Sequence, residues 1–436
     1  MDQLAPSLSL LLDLFRPCFR QEVFSLFRVM AAAWVVCLGR RTVSRVWEAT
    51  GRSASEDHSK AFRLFSEAAW NWDEVCRILL LRLLAAFVPG SRVWLVVDDT
   101  LCHKRGAKVA FGGIFLDAVL SSRRHKVFRF GNVWVTLGLV VQLPFRPDRF
   151  FCVNVLWRVY AKKDEACPDK HRTKPQLARA MVDEVASWLP GRRLVVLGDS
   201  AYIGKHLLKG LPADVAALGP IHRKAALTEP LPPGGAGRRK IGKALTTPAE
   251  AFDDPAWPWE DVLPRHPKGE KKLKVKVIGP CCWYASAGQA PPRVVLVRDP
   301  EGKWRDEALL CGDPGLSAEE VIAGYLRRWA VEVAYCESKQ LLGLHDPMVW
   351  NAEAVKRAHP MAWFVGGLAV LWYAAQGRDE PAARRHRPWY RDKPEPTFAD
   401  MLACLRLHLW SNWLAEPGGD REEKISWLLE YVSTAA

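Results

Sequence analysis

Two short hydrophobic runs that each end in acidic residues constrain the fold most strongly. Residues 93–97, VWLVV, are followed by Asp98 and Asp99, and residues 194–197, LVVL, are followed by Gly198 and Asp199. Short apolar runs rich in valine are typical of strands that are buried on both faces. The sequence therefore predicts two interior strands that carry acids at their carboxyl ends.

The segment between these runs has strand and helix signals of its own. Strand-like runs cover residues 133–143 and 150–159 on either side of a proline-rich turn, and a helical stretch covers 176–188. The order strand, strand, strand, helix, strand, with acids after the first and fourth strands, is that of a ribonuclease H-like sheet. The two acid-bearing ends are neighbours in such a sheet, so we expect Asp98 or Asp99 beside Asp199.

A third carboxylate comes from residues 323–342, AGYLRRWAVEVAYCESKQLL. Helix stepping of 3.6 residues per turn places four of its polar side chains on one stripe: Tyr325, Arg328, Glu332 and Lys339. Glu337 falls about a third of a turn from that stripe, which makes Glu332 the better catalytic candidate. A solvated helix in which Arg328 pairs with Glu332 is the alternative. A carboxylate between two cations suits a site that holds phosphate and metal.

Carboxylates that converge repel one another and raise each other's pKa, unless cations share the site. Oxygen ligands without a cluster of cysteine and histidine favour Mg²⁺, or Mn²⁺, over zinc. Eleven cysteines without a CxxC pair indicate neither a zinc site nor a disulfide framework. Two ions about 3.5–4 Å apart would activate water or a DNA 3′-hydroxyl for in-line attack at phosphorus.

The charge of the chain points to a polyanionic partner. The 436 residues carry a formal net charge of +14, spread along the chain, which favours a folded basic groove that binds nucleic acid. The N-terminus lacks the basic start of a signal peptide. Residues 360–377 are uncharged but contain Gly366, Gly367 and Gln376, so we interpret them as a buried core helix and expect no membrane span.

Composition shifts divide the chain into five regions, within an α/β fold whose ribonuclease H-like core is interrupted by a β-rich insertion. They are a helical N-terminal domain (1–90), the first part of the core (91–210), a basic β-rich insertion (211–318), the catalytic helix with core completion (319–378) and a helical C-terminal region (379–436). The basic helices of region 1–90 either bind DNA ends or form a plain bundle.

The motifs together resemble those of DDE transposases of bacterial insertion sequences, in the branch with a Tyr-x2-Arg-x3-Glu-x6-Lys signature and a β insertion before the catalytic glutamate. Asp98-Asp99-Thr100 resembles the Asp-x-Thr motif, and Asp199 to Tyr202 resembles Asp-x-x-Tyr. The likeness extends over residues 90–378. It implies that Asp98 (or Asp99), Asp199 and Glu332 are catalytic and bind two metal ions.

The resemblance also implies a DNA partner. Signature positions Tyr325, Arg328 and Lys339 would contact the phosphates of the terminal DNA. Trp304, preferred over Trp283, would stack on a flipped base, and an ordinary core aromatic is the alternative for either tryptophan. The expected activity is cut-and-paste transposition: cleavage at the terminal inverted repeats and strand transfer into target DNA by a homodimer, in the bacterial cytoplasm at the nucleoid. A ribonuclease H-like nuclease without strand transfer and a catalytically retired DNA-binding protein are the alternatives.

Overall fold

A computed structural model describes residues 5–53, 55–163, 171–231, 242–266, 269–286, 290–378, 395–416 and 420–434. The N-terminal region is helical in the described part. Its helices are α1 (Pro6–Asp13), α2 (Gln21–Val36), α3 (Val43–Glu48), α4 (Ser59–Ser66) and α5 (Trp72–Phe87).

The remaining helices alternate with strands or follow them. They are α6 (Lys174–Trp188), α7 (Lys205–Leu208), α8 (Pro248–Asp253), α9 (Ala318–Leu326), α10 (Ala330–Leu341), α11 (Ala352–Ala358), α12 (Met361–Trp372), α13 (Phe398–Ala415) and α14 (Arg421–Ser433). Capping boxes fix the starts of α6 and α9, since Thr173 pairs with Gln176 and Ser317 with Glu320.

Six strands of the described structure lie between residues 92 and 220. They are β1 (Arg92–His103), β2 (Gly113–Leu116), β3 (Phe128–Leu143), β4 (Arg146–Tyr160), β5 (Arg193–Leu197) and β6 (Val215–Pro220). Three of them, β1, β3 and β4, are long. Later strands are β7 (Glu260–Val262), β8 (Arg265–His266), β9 (Gly269–Glu270), β10 (Leu273–Ile278), β11 (Arg293–Arg298) and β12 (Glu307–Cys311).

Among the described strands, ten form one mixed sheet. Its order is β2-β3-β1-β5-β6-β12-β11-β10-β7, with β4 also paired to β3. Strands β1, β5 and β6 are parallel, whereas β3 pairs antiparallel with both β1 and β4. The arrangement is consistent with a ribonuclease H-like core. Strands β7, β10, β11 and β12 extend the same sheet, whereas β8 and β9 pair with each other in a separate sheet.

The first acids lie inside a strand and not at its end, contrary to the expectation from the sequence. Strand β1 continues to His103 because residues 95–103 pair with residues 131–139 of the long β3. Its pairing with β5 stops at Val96 and Leu197. The acids therefore follow the point at which β1 loses one of its two neighbours.

The apolar side chains on the two faces of the sheet belong to different clusters. Leu95 and Val97 of β1 pack in the cluster that contains α5, α6 and α12. Val96 packs in the cluster that contains α9 and α10. Helix α12 is buried almost along its whole length, and among the described residues no helix has the length and hydropathy to cross a membrane.

Candidate active site

Asp98 and Asp99 point to opposite faces of the sheet, because successive side chains of a strand alternate. Asp98 shares the face of Val96, which α10 covers through Val331 and Tyr335. Asp99 shares the face of Leu95 and Val97, which α6 covers. Only Asp98 therefore lies on the side of the sheet that carries the helix of Glu332.

Asp99 is held by two partners on its own face. Lys174, at the start of α6, donates to Asp99 Oδ2 at 2.7 Å, and the hydroxyl of Tyr202 donates to Asp99 Oδ1 at 2.8 Å. Burial, together with the nearby Asp99 carboxylate, raises the pKa of Tyr202 well above its ordinary value, so this hydroxyl stays a donor. Both carboxylate oxygens of Asp99 are thus engaged in structural contacts.

Asp199 lies near Asp98, and its charge adds to the raised pKa of Asp98. Val96 pairs with Leu197 in parallel register, and two more residues along each chain lead to Asp98 and Asp199. The Asp199 turn is closed by its own carboxylate, which accepts from the backbone N–H of Ala201 at 2.8 Å. Neighbouring β6 approaches closely, since a Cβ on Gly219 would lie 2.2 Å from the carbonyl oxygen of Gly198.

The Asp98 carboxyl is in a poorly solvated environment. Burial raises the pKa of Asp98 to about 7; the backbone N–H of Asp99 opposes this shift, and the carboxylates of Asp99 and Asp199 add to it. Such a raised value is typical of a carboxylate whose negative charge is incompletely compensated. A cation beside Asp98 would offset that charge.

The signature stretch consists of two helices and not one. Helix α9 ends at Leu326, a 3₁₀ turn covers Arg327–Trp329, and α10 begins at Ala330. The residues of the turn keep right-handed helical dihedral angles, so the chain continues in nearly the same direction. Gly324 lets α9 pack on β1, because a Cβ there would lie 2.6 Å from the ring of Trp94.

Arg328 connects the helix to the sheet. Its Nη2 lies 2.9 Å from Glu332 Oε1, and its Nη1 lies 3.6 Å from Asp98 Oδ2. One guanidinium therefore reaches both a strand carboxylate and the helix carboxylate, as the planar fork of arginine allows. The i, i+4 pair expected for a merely solvated helix is present, but its arginine also contacts Asp98.

A second contact fixes α10 against β3, and sequence reasoning missed it. The hydroxyls of Tyr335 and Thr136 lie 2.7 Å apart, and Thr136 donates to Asn154 at 2.8 Å. Thr136 is the residue directly opposite Asp98 in the β1–β3 register. Tyr335 stands three residues after Glu332, which is the only sequence signal of its place on the same helix face.

The other signature residues have different surroundings. Tyr325 is half-buried, and burial raises its pKa; Arg328 opposes the shift, while Glu307 and Asp199 reinforce it. Burial and then the charge of Lys339 lower the pKa of His345 to about 3, which places Lys339 near the loop after α10.

The two tryptophans considered for base stacking, Trp283 and Trp304, differ in exposure. Trp283 is 8% exposed and packs in the core. Trp304 is 42% exposed and lies under the ammonium of Lys271, which is 4.1 Å from the ring centroid. Its ring contacts Lys271, and its backbone N–H donates to Asp299 Oδ2 at 2.9 Å.

Glu337 has an environment distinct from that of Glu332. Burial raises the pKa of Glu337 to about 7, and Arg149, at 3.8 Å, lowers it only in part. Glu337 lines a narrow cavity with Asn154 and Phe398, away from Arg328. The structure thus places the two glutamates of α10 in separate surroundings.

The carboxylates of Asp98, Asp199 and Glu332 are donors that fit a hard divalent cation, although the three side chains do not converge on a single position. Within the described residues, no three His, Cys, Asp or Glu side chains form a cluster arranged to hold a metal ion. Glu332 is directed at Arg328. The available donors are carboxylate oxygens, and Asp98 carries a charge that Arg328 compensates only in part and that a metal cation would neutralise.

Comparison with known families assigns the chain to a class. Residues 14–269 match the family model described as DDE superfamily endonuclease, which is more than half of the chain, so the protein belongs to this family. No curated protein matches the chain. Enzymes of this superfamily cut DNA and generally use divalent metal ions. The matched segment includes Asp98 and Asp199 and ends before Glu332.

Proposed function

We propose that the protein is a DDE transposase that cleaves DNA at transposon ends and joins the freed ends to target DNA by cut-and-paste transposition. The observation that supports the proposal is the proximity of Asp98, in β1, to Asp199, two residues after the neighbouring strand β5, together with one arginine that contacts both Asp98 and Glu332. Family membership supports a DNA substrate.

Asp98, Asp199 and Glu332 are the proposed catalytic residues and metal ligands. Asp98 and Asp199 come from backbone positions that the sheet fixes, and Glu332 comes from α10. Two Mg²⁺ or Mn²⁺ ions held there would polarise the scissile phosphate, activate the attacking oxygen and stabilise the leaving oxygen. Asp99 is the alternative to Asp98, but its contacts with Lys174 and Tyr202 favour a positioning role.

The cationic side chains have the proposed task of holding DNA. Arg328 fits bidentate contact with a phosphate once it leaves the carboxylates, and Lys339 supplies a point charge. Tyr325 stands beside Arg328, whose guanidinium carbon is 5.9 Å from the tyrosine ring centroid. Trp304 is proposed for base stacking because its side chain is partly exposed. A homodimer would hold both transposon ends.

A gel assay with the full chain, Mg²⁺ and duplexes that carry the flanking inverted repeats tests the proposal. We expect nicked and joined products from the unaltered protein. Glu332→Gln should abolish both products while DNA binding persists, because the amide cannot replace a carboxylate ligand. Glu337→Gln is the matched control on the same helix and should retain activity.

The same assay separates the alternatives. Cleavage without joined products would identify a ribonuclease H-like nuclease. A gel shift that needs no metal, without cleavage at any Mg²⁺ or Mn²⁺ concentration, would identify a retired transposase kept as a DNA-binding protein. Cleavage that survives Glu332→Gln would contradict the proposed site.

A further inference from the structure

A basic and apolar projection lies at the edge of the sheet beyond Asp98. It comprises residues 104–130: the connection after β1, strand β2, the turns that follow and the start of β3; we refer to it as the edge hairpin. Seven Lys or Arg and one Asp occur in it. Its exposed cations are Arg105, Lys108, Arg123, Arg124, Lys126 and Arg129. The acid, Asp117, is buried and contacts His103 at 2.6 Å.

The edge hairpin also exposes bulky apolar side chains. Val119 is 83% exposed, and the others are Ile114, Leu116, Leu120 and Phe128. Leu116 is directly opposite Phe128 in the β2–β3 register, and Val119 and Leu120 lie in the turn that follows β2. Grouped apolar side chains on a surface are a sign of an interaction site, since scattered single residues are the ordinary case. The turns hold Val119 and Leu120 outward, because Asp117 Oδ1 accepts from both of their backbone N–H groups at 3.0 and 3.1 Å.

The base of the edge hairpin is fixed to the loop after α10. The ammonium of Lys104 donates to the carbonyls of His345 and Pro347 at 2.6 and 3.0 Å, and the backbone N–H of His103 donates to His345 Nδ1 at 3.0 Å. The projection is therefore anchored both to the strand of Asp98 and to the helix of Glu332. A ligand on it would be held at a defined position relative to the acids.

We propose that the edge hairpin is a DNA-binding element, whose exposed cations hold phosphates beside the cleavage site while Val119 and Leu120 enter a groove and disturb base stacking. Apolar side chains flanked by arginine and lysine act in this way in proteins that distort DNA. The inference rests on the proposed function, because that function supplies the DNA.

The dimensions and charge of the edge hairpin fit duplex DNA better than a second copy of the chain. Asp98 is opposite Thr136, and eight residues of β3 lead from Thr136 to Phe128. At about 3.3 Å per residue this is about 26 Å, or about eight base pairs. Two copies meeting edge to edge would place like charges opposite one another, which is unfavourable.

The test measures DNA binding by the full chain without metal, so that it does not depend on cleavage. The probe is a labelled duplex of about 30 base pairs that carries the inverted repeat and its flank. We expect Arg123→Ala/Arg124→Ala/Lys126→Ala to weaken binding at least about tenfold at moderate salt and to reduce the slope of log affinity against log salt by about two to three.

Two further variants separate specific contacts from net charge. Arg82→Ala/Lys303→Ala/Arg421→Ala removes the same charge from exposed positions on other elements, and its salt slope should stay near that of the unaltered protein. The variant Val119→Ser/Leu120→Ser should leave the slope of log affinity against log salt unchanged. It should instead abolish the fluorescence rise of a 2-aminopurine placed about five to eight base pairs from the cleaved bond.

Three results would overturn the inference. They are equal slopes for the two triple variants, a change in oligomeric state without a change in DNA affinity, or loss of binding to anionic phospholipid vesicles while DNA binding is unaltered. Hairpin-dependent DNA binding by a protein that never cleaves would support the inference and contradict the proposed function. Melting temperatures confirm that each variant folds.

Discussion

The two sides of the proposed site are positioned by different means. On the strand side, the backbone places Asp98 and Asp199, through the parallel register of β1 and β5 and the hydrogen-bonded turn at Asp199. On the helix side, Glu332 has a side chain that is 37% exposed and is held by Arg328. The strand side is therefore preformed, whereas the helix side depends on an arginine that a bound cation would have to replace.

The largest expected effects come from removing one acid on each side. Asp98→Asn and Glu332→Gln should each lower metal-dependent cleavage on the order of a thousandfold or more. Their effects on folding should differ at pH 8. Asp98→Asn removes a buried charge and should stabilise the protein by about 1 kcal/mol, whereas the more exposed Glu332 should contribute little.

Gel cleavage and denaturant unfolding measure these two quantities separately. Glu337→Gln serves as the cleavage control. Equal changes in unfolding free energy for Asp98→Asn and Glu332→Gln would contradict the distinction between a preformed strand side and a helix side that Arg328 holds in place.

Asp99→Asn tests the strand side more finely, because Asp99 and Asp98 are adjacent but lie on opposite faces. Asp99 contacts Lys174 and Tyr202. Substitution of a group that supports a metal ligand typically lowers activity about 10–100-fold. We expect a loss in that range, with an unaltered requirement for Mg²⁺. Cleavage against Mg²⁺ concentration measures both effects.

Tyr202→Phe is the companion variant, since it removes one donor to Asp99 and leaves Asp199 intact. A dead Asp99→Asn protein together with an active Asp98→Asn protein would reverse the assignment of the two acids.

Much of this arrangement is readable from the sequence, and the remainder depends on pairing in space. The apolar runs locate β1, β3, β4 and β5, and the acids that follow the runs of β1 and β5 locate the strand side. Choosing between Asp98 and Asp99 requires knowing which face of the sheet α10 covers. Two residues that are adjacent in the sequence do not reveal this. Likewise, the spacing predicts a helix through residues 323–342 but not the 3₁₀ turn, because the turn keeps helical dihedral angles.

Arg328→Ala tests the helix side. The change leaves Asp98 and Glu332 without their shared cation, which should lower the unfolding free energy by about 1–2 kcal/mol without metal. Mg²⁺ should then raise the melting temperature more in this variant than in the unaltered protein, because a ligand that binds only the folded state stabilises it.

Arg328→Lys is the matched variant for Arg328→Ala. A single ammonium cannot bridge both carboxylates as the guanidinium does, so we expect intermediate stability. An identical Mg²⁺ shift in all three proteins would mean that Arg328 and the metal do not compete for these carboxylates.

Glu337→Gln gives the smallest effect and extends the comparison to the other glutamate of α10. Burial raises the pKa of Glu337 from 4.5 to about 7 in the folded protein. Glu337 therefore keeps its proton to a higher pH in the folded state than in the unfolded state. As a result, the unfolding free energy falls as pH rises from about 4.5 to about 7. Because glutamine cannot ionise, Glu337→Gln should remove this contribution to the slope of unfolding free energy against pH.

The variant should be more stable than the unaltered protein by about 1 kcal/mol at pH 8, since partial exposure of the side chain reduces the penalty, and equally stable near pH 4. Denaturant unfolding at both pH values measures the difference. A stability gain of the same size at pH 4 would show that packing in the cavity, and not the charge of Glu337, is responsible. Equal stability of the variant and the unaltered protein at pH 8 would show that Arg149 compensates the charge of Glu337. Both glutamates of α10 would then be stabilised by an arginine.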